Sequence, residues 1–246
     1  MSVKLIQNNI NNLTALWRLA SNMYNGLKIN SNYNIAEVRD SDWPNRIWNT
    51  NIFEEEDVRK LHELLKEKNS QLIYTKWYEK TDKIIDESQD LGLSLLFNQI
   101  GMSLSLEDYT SCKASEFTKL IEIDSEDSVK QWALVFFKCF GYEIPSQLIQ
   151  FLKSKVKYFL IYKGSTIIGC VSIFEKDNNI GIHSLGILKE YRKNGYAEEV
   201  MHLLLSDAKR VGIDYAHLQS SLLGLSIYNK IGFKVLFQMG NYELIL

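Results

Sequence analysis

The sequence predicts an α/β protein with a mixed sheet, and three observations carry that prediction. Its 246 residues are 46% hydrophobic and 24% charged, an ordinary globular composition long enough for one large or two small cores. Apolar runs of strand length recur between stretches whose apolar residues fall three and four apart, as on one face of a helix. From Gly181 to Ala197 a short apolar run passes straight into a helical pattern, so a strand feeds directly into a helix start. We read two units, an N-terminal α/β unit over residues 1–118 and a second over 119–246.

In the first unit, Leu13, Leu16, Trp17, Ala20 and Tyr24 fall at helical spacing, and Asn25-Gly26 is a stop signal. Residues 33–49 read as two short strands around the turn Asp40-Ser41-Asp42, with Pro44 limiting the second to an edge or bulge. Trp43, Arg46 and Trp48 suit either an aromatic pocket or plain packing. A helix over 53–69 opens on Glu54, Glu55, Glu56 and Asp57 and closes on Lys66 and Lys68, matching the helix dipole, and His62 on it has no expected role. Residues 71–78 alternate as a strand, Ile84-Ile85 and Leu91 to Leu96 are apolar, and 99–109 alternate again.

The second unit begins with a strand over 118–123. A helix follows through Val129, Trp132, Val135 and Phe136, capped by the polar run Asp124 to Asp127, and another starts at Pro145-Ser146. Residues 158–162 and 167–174 form a hairpin turning at Lys163-Gly164-Ser165, and Asp177-Asn178-Asn179 turns into a strand over 180–188. Beyond it come a helix from about Gly195 to Val211, a strand over 214–219 and a short helix over 222–231. Two final strands, 233–238 and 242–246, are expected to be joined by Gly240-Asn241.

Chemistry concentrates where the strand meets the helix. Arg192-x-x-Gly195-x-Ala197 puts small residues beside helical N–H groups that lack intrahelical partners. The N–H groups of Lys193, Asn194, Gly195, Tyr196 and Ala197 meet the positive end of the helix dipole there. With Arg192 and Lys193 adding charge, the site suits a diphosphate.

The segment L-G-I-L-K-E-Y-R-K-N-G-Y-A resembles motif A of the GCN5-related N-acetyltransferase (GNAT) superfamily, with Lys189 in place of its usual proline. Downstream, Ile227-Tyr228-Asn229-Lys230-Ile231-Gly232-Phe233 resembles the end of motif B, although Ser221 and Gly224 stand where that motif commonly has Asn and Ala. The resemblance covers 119–246 and implies the family's acyl-CoA-binding fold. The helix–strand order of the first half is compatible with a degenerate copy of it.

This resemblance further implies acetyl-CoA as co-substrate, direct acetyl transfer to an amine and no metal. Carried over, the backbone of Leu185, Gly186 and Ile187 holds the pantetheine arm and thioester carbonyl, Arg192 to Ala197 hold the diphosphate, and Ser221 takes the place of a contact residue. Tyr228 either protonates the departing thiolate or packs on the cofactor. The acidic residue that some members carry early on this strand would fall at Gly181. His183 is therefore the candidate base, two residues from Leu185 and so expected on the same strand face; a satisfied core histidine is the alternative. His202 and His217 are read as structural. A catalytically silent acyl-CoA-binding module is the competing function.

The net charge of -2, with no basic run interleaved with aromatics, points away from nucleic acid. No stretch approaches the ~18 apolar residues of a membrane span, and the N-terminus lacks a signal peptide's apolar block. Cys112, Cys139 and Cys170 are odd in number and outside metal-site spacing, so they read as thiols of a cytoplasmic protein. The amine acceptor's identity stays open, and the first half is expected to shape its side of the site or a homodimer contact.

Overall fold

A computed structural model describes residues 3–30, 32–50, 63, 72–80, 92–110 and 118–244. Apart from Glu63, the helix expected over 53–69 lies outside the described residues, as do Ile84-Ile85, Leu91 and Cys112. In chain order the first half contributes helix α1 (Val3–Asn22) and strands β1 (Leu27–Ile29), β2 (Tyr33–Ala36), β3 (Arg46–Asn49), β4 (Ile73–Glu79) and β5 (Leu93–Ser105). The second begins with β6 (Thr118–Glu122), α2 (Glu126–Phe140), α3 (Ser146–Leu152), β7 (Val156–Lys163), β8 (Thr166–Lys176) and β9 (Asn179–Ile187). A 3-10 turn (Lys189–Tyr191) precedes α4 (Tyr196–Arg210), β10 (Tyr215–Ser220), α5 (Leu225–Ile231) and β11 (Lys234–Leu244).

Among the described residues all eleven strands join one mixed sheet in the order β1-β2-β3-β4-β11-β5-β10-β9-β8-β7-β6. Pairing crosses between the halves, because β5 lies between β10 and β11 and runs antiparallel to both. The two strands expected at the C-terminal end are one. β11 continues through Gly240-Asn241, with register shifts after Val235 and after Asn241. A hairpin there would need its second strand beside its first, but β4 and β5 of the first half occupy both edges of β11. Pro44 lies just ahead of β3, which is an interior strand between β2 and β4.

The two faces of the sheet carry separate cores. On one face α4 packs Val200, Met201, Leu204 and Leu205 against Ile180, Ile182, Ala216 and Leu218. On the other, α2 and α3 bury Trp132, Phe136, Leu148 and Ile149 against Tyr158, Leu160 and Cys170, and Leu16 and Ala20 of α1 join that cluster. The aromatic residues of the first half pack: Trp17 meets Trp48 edge-on at 5.3 Å, and the buried Arg46 lies over Trp17 at 5.8 Å.

Helix α2 starts where the sequence places it because Ser125 caps it. The Ser125 hydroxyl accepts the Ser128 N–H at 3.3 Å, while Ser128 Oγ accepts the Ser125 N–H at 3.0 Å. Ser125→Ala is expected to cost about 1 kcal/mol, seen as a fall of about 2–4 °C in the thermal midpoint. An unchanged midpoint would mean the cap contributes nothing.

Candidate active site

β9 and β10 pair in parallel over Tyr215–Asn179, Ala216–Ile180 and His217–Gly181 only. Both strands then continue, β9 to Ile187 and β10 to Ser220, without pairing to each other. The sheet therefore splits, and backbone N–H and C=O groups facing the gap are left for another partner. On its other edge β9 carries a bulge. Cys170 pairs with Gly186 and Ser172 with His183, so Ser184 and Leu185 stand opposite Val171 alone, and Ser184 takes φ 55°.

The bulge corrects the expected facing of His183. A regular strand would put His183 and Leu185 on one face. Here Leu185 packs with Ile182, Ile187 and the α4 cluster, whereas His183 turns to the opposite face and meets α1. The extra residue reverses the alternation, so Gly186 shares the face of His183. A Cβ on Gly186 would come within 2.7 Å of Cys139 Cβ and 2.8 Å of Phe140 Cε2, so the C-terminal end of α2 seats directly on it.

At the mouth of the gap, Gly195 is the N-terminal cap of α4 with φ 82° and no side-chain capping bond. A Cβ there would meet nothing within 4 Å, so the space beside the first turn is open. Lys193 also has positive φ, at 64°. The loop is held from beneath: Arg192 Nε donates to the Ile187 carbonyl at 2.8 Å and its NH2 group to the Cys139 carbonyl at 3.2 Å. Asn194 Nδ2 donates to the carbonyls of Tyr191 and Arg192 at 3.1 and 3.0 Å. The side chains of Arg192 and Asn194 thus shape the loop. Tyr196 is buried under the Lys163 ammonium, 5.3 Å from its ring centroid, and Ala197 packs into the α4 cluster. A positive-φ glycine, an uncapped helix start and open space beside it fit an anionic group such as the diphosphate of a nucleotide cofactor.

The described residues that line the α1 face of the split were not legible as site residues, Asn9 and Asn12 above all. Asn12 Oδ1 lies 3.2 Å from His183 Nε2, and its Nδ2 donates to the Phe174 carbonyl at 3.1 Å. Asn9 Nδ2 donates to the Met102 carbonyl at 2.8 Å and to Ser103 Oγ at 3.2 Å, and Asn9 Oδ1 accepts from Gln219 Nε2 at 2.7 Å. Ser103 Oγ in turn is 2.7 Å from His217 Nδ1, while His217 Nε2 is buried with no hydrogen-bond partner among the described residues. Desolvation by burial drives both imidazoles down to about 4, and for His217 the proximity of His183 adds to it. Both are neutral at pH 7. His202 stays with Tyr109, whose hydroxyl is 2.8 Å from its Nδ1.

Tyr228 lies on the other face, on α5. Its ring meets Phe233 edge-on at 5.9 Å and packs in the cluster that holds Leu185, Ile187 and Ala197. The Lys230–Glu198 ion pair at 2.7 Å links α5 to the first turn of α4. Burial pushes the phenol up to about 12. Ser221 is exposed and its hydroxyl accepts the Gly224 N–H at 3.3 Å, which stabilises the turn into α5. Among the described residues no three His, Cys, Asp or Glu side chains cluster to hold a metal ion, and no helix is long and apolar enough to cross a membrane.

A split parallel pair, a bulge beside it and a glycine-opened helix start together mark an α/β domain with an anion-receptive cleft, and comparison with known proteins shows what that part of the chain is similar to. Residues 117–233 match the model described as Acetyltransferase (GNAT) family. This half of the chain is a GNAT domain. The fold as a whole is that of a GCN5-related N-acetyltransferase from Kribbella flavida, with a TM-score of 0.65, 13% identity, and coverage of 92% of this chain and 94% of that one. It is likewise similar to a GCN5-related N-acetyltransferase from Sphaerobacter thermophilus, at TM-score 0.65, 11% identity and coverage of 90% and 82%. A conserved protein of unknown function from Staphylococcus epidermidis matches at TM-score 0.62, 12% identity and coverage of 89% and 93%. These matches extend across the first half, which belongs to the same fold. No curated protein matches the sequence.

Proposed function

We propose that the protein is an acetyl-CoA-dependent N-acetyltransferase that passes an acetyl group directly to an amine. The observation that carries this reading is the split between β9 and β10, with an anion-receptive helix start at its mouth and a neutral histidine at its base. Acetyl-CoA supplies the acyl group already activated as a thioester. Around the split, the edge of β9 at Leu185, Gly186 and Ile187, whose Ile187 carbonyl already accepts from Arg192, would hold the extended arm, and the loop from Arg192 to Ala197 the diphosphate.

The two faces of the sheet divide the remaining work. On the α1 face His183, neutral at pH 7, takes the proton of the attacking amine only in passing, since a conjugate acid near 4 releases it again to solvent. On the α4 face Tyr228 donates a hydrogen bond to the departing sulfur. A phenol raised to about 12 holds its proton against a thiolate, whose ordinary conjugate pKa is about 8.5. Stabilisation of the sulfur by the intact O–H therefore fits better than complete proton transfer. The free thiols of Cys139 and Cys170 suit a reducing compartment and support a cytoplasmic location.

Free-CoA release over an amine panel tests the reading. Tyr228→Phe is expected to lower kcat about 10- to 100-fold, as loss of a hydrogen bond to a charged group implies, with the affinity for acetyl-CoA kept. Equal kcat in the variant would remove the Tyr228 role. Absence of amine-dependent release in the wild type would leave the catalytically silent acyl-CoA-binding module.

A further inference from the structure

We propose that Asn12, carried by the first half of the chain, is the positioning residue of the proton-accepting histidine: it holds His183 as the Nε2–H tautomer and leaves Nδ1 free for the amine. This rests on the transferase reading above. The argument begins with the Asn12 amide, whose nitrogen donates to the Phe174 carbonyl at 3.1 Å, so that the oxygen is the end facing His183 Nε2 at 3.2 Å. An amide oxygen only accepts. Nε2 must therefore carry the hydrogen, and the lone pair of the neutral ring falls on Nδ1.

The surrounding structure is built to keep this contact. Any Cβ at position 181 would lie well under 3.0 Å from both Asn12 Oδ1 and His183 Nε2, so only glycine leaves room for the pair. Asn12 is 2% exposed and Asn9, one turn earlier on the same face of α1, is fully buried. Asparagine is a weak helix former, and burying its amide is costly unless every bond is made. Two such residues at i and i+3 both direct their amides to one histidine-bearing patch of the sheet. Asn9 reaches the second ring through Ser103: its Nδ2 donates to Ser103 Oγ, which lies 2.7 Å from His217 Nδ1.

Among the described residues His183 acts electrostatically on His217 of β10, burial is what lowers His183 itself, and α1 brings the uncharged amides of Asn9 and Asn12 to the two rings. A proton taken by His183 thus lies close to one other imidazole, kept neutral at pH 7 by its burial.

Long-range proton–nitrogen spectra of the imidazoles in 15N-labelled protein test the assignment without relying on activity. In wild type His183 should show a protonated Nε2 and an unprotonated Nδ1. Asn12→Asp keeps the acceptor and adds a negative charge. His183 should then titrate at least one pH unit higher, and the acidic limb of kcat should move with it. Asn12→Ala should mix the tautomers and lower kcat about tenfold at pH 7, while the thermal shift produced by acetyl-CoA stays at the wild-type value and reports an intact fold. An Nδ1–H tautomer in wild type overturns the assignment. So does Asn12→Asp with unmoved imidazole titration and unmoved pH profile in an enzyme that turns over. Wild type without amine-dependent CoA release overturns the transferase reading itself, and the proton-accepting role with it, whatever the spectra show.

Discussion

Gly195→Glu is expected to abolish the stabilisation of the protein by acetyl-CoA. In wild type, ligand at about a hundred times its dissociation constant stabilises by roughly 2.7 kcal/mol, a rise of about 5–10 °C in the thermal midpoint for a chain of this length. Gly195 sits at φ 82° at the head of α4, with open space where its side chain would be. A glutamate there would fill that space and set a carboxylate where the free N–H groups and the dipole invite an anion. Affinity should fall by more than about 100-fold, since the variant forfeits charge-assisted hydrogen bonds of about 1.5–3 kcal/mol each. Gly195→Ala separates backbone strain from occlusion. It costs about 1 kcal/mol of stability at a positive φ but should keep most of the ligand-induced rise. A glutamate variant that melts with an undiminished rise would show that the diphosphate binds elsewhere.

The second large effect is on stability in acid. His183 and His217 are both depressed to about 4 by burial, against an ordinary value near 6.5 in an unfolded chain. Between these values the unfolded state binds up to two more protons than the folded one, so stability rises with pH across this window and falls as pH drops through it. The full stability is present above pH 6.5, and the loss is complete near pH 4. A shift of one unit is worth 1.36 kcal/mol. The two rings together would therefore cost about 7 kcal/mol before their mutual coupling and the partial exposure of His183 reduce it. Urea unfolding at pH 7.5, 5.5 and 4.5, compared with His217→Gln, isolates the contribution from that of the carboxylates. The variant should lose less stability than wild type across the same interval. Equal losses would mean that His217 titrates in the folded state near its ordinary value of about 6.5.

What could be read in the chain was what neighbouring residues encode together. The hairpin of 158–162 and 167–174, the caps of α2, and the strand–loop–helix from Gly181 to Ala197 are local patterns, and the structure reproduces them. The anion-receptive loop belongs to the same class, because a glycine before a helix carries its conformational meaning wherever the rest of the chain goes. Arg192 was legible as a basic residue at that loop. Its commitment to the carbonyls of Ile187 and Cys139 was not, since one of those partners is 53 residues away.

The α/β class, most elements of 118–244 and the loop that opens α4 follow from local patterns of residues. Which face His183 looks to depends on the folded sheet, because the bulge at Ser184 comes from pairing against β8 and leaves no trace in the apolar pattern of 180–188; only the tertiary structure reveals it. Only it decided that 234–244 is one strand, because β4 and β5 arrive from more than a hundred residues away to claim both of its edges. And only it brought Asn12 to His183 across 171 residues of sequence. An asparagine in an amphipathic helix looks like any solvent-facing polar residue until the sheet it packs against is in place; burial and hydrogen-bond geometry, which are properties of the folded contact, then turn it into part of the site.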